Sequence, residues 1–181
     1  MYLKTLSLRI LQITTHTVIV KLKIKNGKVE SVWVSEQIGR TVVKAFNNLL
    51  TETLANGRKQ PDAYDRIAMA IAGDNIEAKK VISSLIDDAG YDVVDSGNLS
   101  DSWRHQPGTP AYCTELNADE LKQALADSNK ENAAEIRDYV IRQFMGADGA
   151  PTSHQGVIDF NRSQFLKIRK HFKNLSRRKQ Q

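Results

Sequence analysis

Apolar and polar positions change their period several times along this chain, and each change predicts an element. Val20, Leu22 and Ile24 alternate with Lys21, Lys23 and Lys25, the period-two signature of a half-buried strand, and Asn26-Gly27 follows as a turn. The next run, KVESVWV, reads in two ways. It is either the returning strand of a hairpin or a short helix over Ser31 to Ile38 stopped by Gly39 in the left-handed conformation. From Thr41 the pattern is more regular. TVVKAF predicts a buried strand, NNLLTETLANG a short helix ending at Asn56-Gly57, and GRKQPDAYD a polar loop. RIAMAIAG predicts a second, almost wholly apolar strand. Asp74 stands at an N-cap position with Glu77 three residues on, a capping-box spacing, and Ala78, Val81, Ile82, Leu85, Ile86 and Ala89 form one apolar helical stripe ending at Gly90.

YDVVDSG predicts a third short strand. Strands that alternate with helices and lack a polar face predict a parallel sheet covered on both sides. The segment NLSDSWRHQPGTPAYCTEL reads as irregular, because two prolines and a glycine punctuate it. Asn117 with Glu120 opens a helix through Ala126, and Ser128 with Glu131 opens another carrying Ala133, Ile136, Val140 and Phe144. MGADGAPTSHQG predicts a loop, and SQFLKIRKHFKNL a last amphipathic helix with Phe165, Ile168, Phe172 and Leu175 on one side.

Composition narrows the class. With 181 residues, 40% hydrophobic and 26% charged, the chain has the makeup of one ordinary globular domain with an appendage. No run reaches the roughly 18 apolar residues of a membrane span, and the first twenty residues lack a signal-peptide pattern, so a cytoplasmic location without membrane partners is expected. The single cysteine, Cys113, excludes an intrachain disulfide and a multi-cysteine metal site. His16, His105, His154 and His171 have no paired spacing, so no metal is expected. The net charge of +5 is unevenly spread: the first 28 residues hold six Lys or Arg and the stretch from Arg162 onward holds eight, with no acid in either. The body between them is about nine charges negative.

In an open α/β sheet, ligands bind beyond the carboxyl ends of parallel strands, where loops and helix N-termini present backbone donors. The three predicted strands end in Asn47, in Gly73-Asp74 and in Ser96-Gly97. Asn47 therefore either caps the following helix or stands on the rim of a ligand cleft; the same two readings apply to Asp74. Trp103, Arg104, His105 and Gln106 precede Pro107-Gly108, and a planar aromatic, a guanidinium and an amide on a rigid loop suit a flat anionic cofactor or substrate. The alternative is a surface loop whose Trp103 plugs the core edge and whose Arg104 pairs with an acid. No Ser-His-Asp order, paired-carboxylate pattern or phosphate loop is present. Hydride transfer between two bound cofactors needs none of these, since the cofactors carry the chemistry.

VVKAFNN followed by IAMAIAGDNIEAKKVISSLIDDAGYDVVDSGNL resembles the latter half of the Rossmann domain in deazaflavin-dependent NADP oxidoreductases. ESVWVSEQIGR before it and DSWRHQPGTPAYCTEL after it look like the same subfamily, so the resemblance runs from Glu30 to Leu116. It implies the helical reading of Ser31 to Ile38 and an activity of hydride transfer between NADP and a deazaflavin or flavin-like acceptor. It places Asn47 at the strand end that faces the nicotinamide region, with Gly73, Asp74, Ser96 and Gly97 on the neighbouring strand ends as cofactor contacts; Trp103, Arg104 and Gln106 remain the candidate substrate contacts by their own chemistry.

The chain departs from that pattern at its start. The family begins with a GxGxxG fingerprint, whereas the first 30 residues here contain only Gly27. The expected organisation is an atypical N-terminal segment (1–30), the C-terminal part of a Rossmann-like domain (31–116) and a helical C-terminal region with a basic tail (117–181). The expected fold class is α/β, a partial Rossmann-like sheet with flanking helices. Three functions follow from this reading: a truncated or divergent NADP oxidoreductase, a non-enzymatic interaction module that forms homo-oligomers through the uncovered sheet edge, and, least favoured by the acidic body, nucleic-acid binding by the tail.

Overall fold

A computed structural model describes residues 27–146 and 151–165. The predicted strand at Val20 to Ile24 and most of the last predicted helix lie outside them. The chain is a mixed α/β fold with the order α1 (Glu30–Ile38), β1 (Val43–Lys44), α2 (Thr51–Asn56), β2 (Ala68–Gly73), α3 (Ile76–Asp88), β3 (Asp92–Asp95), a 3-10 helix (Leu99–His105), α4 (Ala118–Ala126) and α5 (Lys130–Phe144). A further helix, α6, covers 154–165.

The sheet has three strands in the order β1-β2-β3. β2 pairs in parallel with β3, Ala68 opposite Asp92 through Ile71 opposite Asp95. β1 pairs with β2 antiparallel, Val43 opposite Gly73 and Lys44 opposite Ala72, which corrects the expectation of an all-parallel sheet. Apolar runs report burial of both strand faces, and that burial is compatible with either direction. β1 is also shorter than predicted and only half-buried. Phe46 ends it with a φ of 59°, a left-handed conformation that no strand sustains.

β2 is buried along its whole length because its alternating side chains feed two cores. Ala68 and Ala70 join Val94, Ala111, Leu121, Ala124 and Leu125 on one face. Met69 and Ile71 join Leu49, Ile82, Ile86 and Tyr91 on the other. Each Leu, Ile, Val or Met side chain fully buried there contributes on the order of 1.5–3 kcal/mol, and each Ala less.

The helix ends explain several smaller corrections. α1 forms, and Gly39 stops it with φ 63°. α3 is capped by Asn75, whose side chain accepts from the Ala78 N–H, and not by Asp74, because Asp74 Oδ1 is taken by the Leu99 N–H at 2.9 Å. α4 opens on the expected capping box of Asn117 and Glu120. α5 starts one residue later than predicted, on Asn129, because the Ser128 hydroxyl donates back to the carbonyls of Arg104 and Ala124. The segment after Asn98 is not irregular: Asn98 and Asp101 form a capping box that opens the 3-10 helix. α6 begins at His154, inside the predicted loop. Gly108, at φ 92°, turns against α5 so closely that a Cβ would lie 2.1 Å from the Ala133 carbonyl oxygen.

Candidate functional site

Beyond the carboxyl ends of β2 and β3 the chain brings together four of the residues singled out by sequence. The Gly73 N–H donates to the Gly97 carbonyl at 3.1 Å, and the Ser96 hydroxyl donates to the Ile71 carbonyl at 2.9 Å. The Gly97 N–H donates to Asp95 Oδ1, while Asp74 holds Leu99 at the start of the 3-10 helix. The glycines have filled surroundings. A Cβ on Gly73 would lie 3.1 Å from Val43 Cγ2, and one on Gly97 would lie 2.9 Å from Asp101 Oδ2. Their lack of a side chain therefore admits the protein's own atoms, and these two positions do not form the open backbone cradle that a pyrophosphate requires.

The two adjacent asparagines after β1 are both engaged within the fold. Asn47 is neither the cap of α2, whose N-cap is Leu50, nor an amide turned to solvent. Its Nδ2 donates to the His105 carbonyl at 2.7 Å, and its Oδ1 accepts from His105 Nδ1–H at 3.0 Å. Because the amide nitrogen faces a carbonyl, the amide oxygen must face the ring, which places the imidazole proton on Nδ1. Asn48 is 2% exposed and lies against β2. Trp103 is buried beneath the Arg104 guanidinium, whose carbon lies 4.7 Å from the ring centroid. Arg104 also donates to the Leu125 carbonyl at 3.1 Å and faces Asp101 at 3.9 Å. Gln106 is half-buried at the end of the 3-10 helix, its carbonyl accepting from the Thr109 N–H and hydroxyl.

The same 3-10 helix contributes a polar cluster of which sequence reasoning singled out only His105. Lys44 Nζ donates to the Ser102 carbonyl at 3.2 Å. Burial lowers the Lys44 pKa to about 8, against the opposing pull of Glu30. His105 is fully buried, and burial together with the Lys44 charge holds its pKa well below the usual imidazole value, so the ring is neutral. Glu30 Oε1, Trp33 Nε1, Ser102 Oγ and His105 Nε2 are buried without a hydrogen-bond partner among the described residues. The available sequence signal was a lysine inside an apolar strand. Nearby, burial pushes the Cys113 thiol up to about 12, which makes it inert as a nucleophile.

A second cluster fastens α6. His154 Nε2 lies 2.8 Å from Glu115 Oε1, the Thr53 hydroxyl donates to the same carboxylate, and Glu52 Oε2 lies 3.6 Å from His154 Nδ1. The Thr53 hydroxyl oxygen also lies 3.4 Å from His154 Nε2, so hydroxyl, imidazole and carboxylate meet at one point. Arg162 donates to the carbonyls of Thr114 and Glu115 at 2.7 and 2.6 Å, and Asn161 to that of Cys113 at 3.0 Å. Among the described residues no group of three or more His, Cys, Asp or Glu could hold a metal. A groove of about 590 Å³, lined by Arg58, Lys59, Arg66, Asp87 and Gly90, lies at the opposite, amino end of the parallel strands. No described helix is long and apolar enough to cross a membrane.

These features define a small mixed α/β protein whose strand ends are closed by its own 3-10 helix. Over 98 residues the sequence is 37% identical to the putative protein YjhV of Escherichia coli strain K12, covering 54% of this chain and 71% of that protein. The chain belongs to the family of that protein. No family model matches the sequence. The crystal structure of the hypothetical protein SMa0349 from Sinorhizobium meliloti is 30% identical over 51% of this chain, with a TM-score of 0.44. The match covers 45% of that solved chain, less than half of its length.

Proposed function

We propose that this chain is a divergent relative of the NADP-dependent oxidoreductases that acts as an oligomerising interaction module, with hydride transfer given up. The observation that carries this reading is the pairing of Asn47 with His105 through both ends of its amide. In the resemblance drawn from sequence, Asn47 faces the nicotinamide; here its donor and acceptor are both used within the chain. The glycines at the strand ends face Val43 and Asp101, and the sequence carries no glycine fingerprint. The described residues therefore fit NADP poorly, and no step of a reaction is assigned to it.

The surface offered for association is the flank of α3. Val81 and Leu85 are 45% and 39% exposed, beside the buried Ile82 and Ile86 of the same helix. The outer edge of β3 is a poorer surface, because Asp92 and Asp95, paired with Arg66 and Lys79, put charges along that short strand. A second copy packed through α3 is the occupant of choice.

The competing reading is a shortened oxidoreductase that binds NADP weakly through an oligomer. The meeting of Gly73, Asp74, Ser96 and Gly97 at adjacent strand ends favours it. Titration with NADPH and NADP, followed by the fluorescence of Trp33 and Trp103 and by the melting temperature, separates the two. The module reading expects no response at millimolar nucleotide and a dimer in light scattering that Leu85→Lys dissociates. Saturable nucleotide binding with a shifted melt would overturn it in favour of the oxidoreductase.

A further inference from the structure

We propose that the groove at the amino end of the parallel strands is a binding site for a small zwitterion of the free amino-acid class, its carboxylate taken by Arg58 and its ammonium by Asp88. This inference is independent of any role for NADP and of the oligomeric state.

The groove is built where the loop after α2 meets the C-terminal end of α3. Its volume of about 590 Å³ lies within the range of sites that hold small ligands. The Lys59 N–H donates to the Gly90 carbonyl at 3.0 Å, which fixes the loop against the helix end. Gly90 is needed there: its φ is 94°, and a Cβ would lie 2.8 Å from Arg58 Cβ. The stem of Arg58 therefore rests on the residue two places beyond Asp88, and a guanidinium and a carboxylate border the same space. Arg66 forms part of the wall. It is only 4% exposed, its guanidinium lies 2.8 Å from Asp87 and 3.0 Å from Asp92, and its Nε–H is buried without a partner among the described residues.

The pairing of charges around the groove selects the ligand class. Lys59 is held by Asp65, and Arg66 by Asp87 and Asp92. Arg58 and Asp88 are exposed, and neither side chain makes a hydrogen bond or ion pair among the described residues. The groove thus presents one unpaired cation and one unpaired anion. A simple anion satisfies Arg58 but is repelled by Asp88, and a simple cation meets the reverse. A molecule that carries both charges a few ångströms apart satisfies both groups. Its carboxylate suits the guanidinium, whose planar fork binds through two parallel N–H···O bonds. Its ammonium suits the end of α3, where the helix dipole is negative and no basic residue of the helix stands in the last turn. Pro61 and Ala63 add a small apolar wall, which favours an aliphatic side chain on the ligand.

Titration of the isotope-labelled full chain with L-leucine, followed by two-dimensional amide NMR at neutral pH and low salt, tests this directly. Saturable shifts are expected at the amides of Lys59, Ala63 and Gly90. Two analogues of leucine each lack one charge: isocaproate has no ammonium, and isoamylamine has no carboxylate. Each should bind about fivefold more weakly than L-leucine, and L-leucine should bind Arg58→Gln and Asp88→Asn more weakly by about the same factor. Both substitutions fall on exposed side chains without partners among the described residues, so each variant should keep its circular dichroism. An analogue that binds as tightly as leucine would overturn the proposal. So would shifts confined to another face, or no saturable shift at about 50 mM ligand, where even a weak site fills. If a variant does not fold, the two analogues on the wild-type chain decide alone.

Discussion

Asn48 does the work of a missing strand residue for Ala70. Its Oδ1 accepts from the Ala70 N–H at 3.2 Å, and its Nδ2 reaches the Ala68 carbonyl at 3.5 Å, so one side chain continues the β1 edge after Phe46 has turned the backbone away. The Asn48 carbonyl in turn accepts from the Cys113 N–H at 2.9 Å, tying the loop before α4 to the sheet. A buried backbone group left without a partner costs about 1–3 kcal/mol. Asn48→Leu, which matches the volume and removes both bonds, should therefore destabilise the fold by about 2–4 kcal/mol in urea unfolding. A change below about 1 kcal/mol would show that β2 finds other partners on that side.

The pairing of Asn47 with His105 has a pH signature. Because the folded pKa of His105 is depressed, the unfolded chain binds a proton as pH falls through about 6.5 while the folded chain does not. The His105 contribution should be level above that value and should lower stability below it by up to about 1.4 kcal/mol per pH unit, until the folded-state pKa is passed. Urea midpoints measured across this range on wild type and His105→Gln should diverge, the variant showing the shallower decline. Parallel curves would mean that other groups set the acid limit.

For Lys44 the sign is the same and the window higher. Its folded pKa is lowered to about 8, so the buried ammonium costs stability below that value, and the cost fades as pH rises toward the unfolded lysine value near about 10.4. Lys44→Met should be more stable than wild type at neutral pH, with the advantage shrinking by about pH 10. Thermal melts at the two pH values check this, and an advantage that grew with pH would contradict the depressed pKa.

Arg162 fastens α6 to a loop whose backbone is held in an unusual conformation. Cys113 and Glu115 have φ of 54° and 49°, and the Arg162 guanidinium binds the Thr114 and Glu115 carbonyls. Arg162 is exposed, so Arg162→Ala should cost only about 1–2 kcal/mol. The loss should be local: faster hydrogen exchange in 154–165 with the amides of β2 unchanged. Uniform acceleration across both would place α6 within the cooperative core.

How much of this was legible in the sequence depended on the range of the forces involved. α3 and α4 were readable because apolar spacing and polar capping signals lie within one element, and for α4 the capping box named both residues; α1 stayed balanced against a hairpin strand until the resemblance favoured the helix. Boundaries slipped at α3 and α5, where Asp74 and Ser128 look like caps yet are claimed by Leu99 and by the carbonyls of Arg104 and Ala124. The all-parallel sheet was inferred from burial, which does not encode strand direction. Of the candidate site, the sequence correctly gathered Gly73, Asp74, Ser96 and Gly97 at strand ends, but it could not show that Val43 and Asp101 fill the space beside the glycines.

The sequence by itself determined the apolar strands, the amphipathic helices and the polar punctuation between them, because those signals repeat over three or four residues and need no distant partner. Tertiary structure alone decided what the polar residues do. Asn47 meets a histidine 58 residues away, and Lys44 meets the same 3-10 helix at the same separation. Asn48 meets a strand that the chain reaches only after another helix and loop. Hydrogen bonds and desolvation act over a few ångströms in space, with no regard to distance along the chain. That physical difference is why two adjacent asparagines and one lysine took their roles only once the chain had folded.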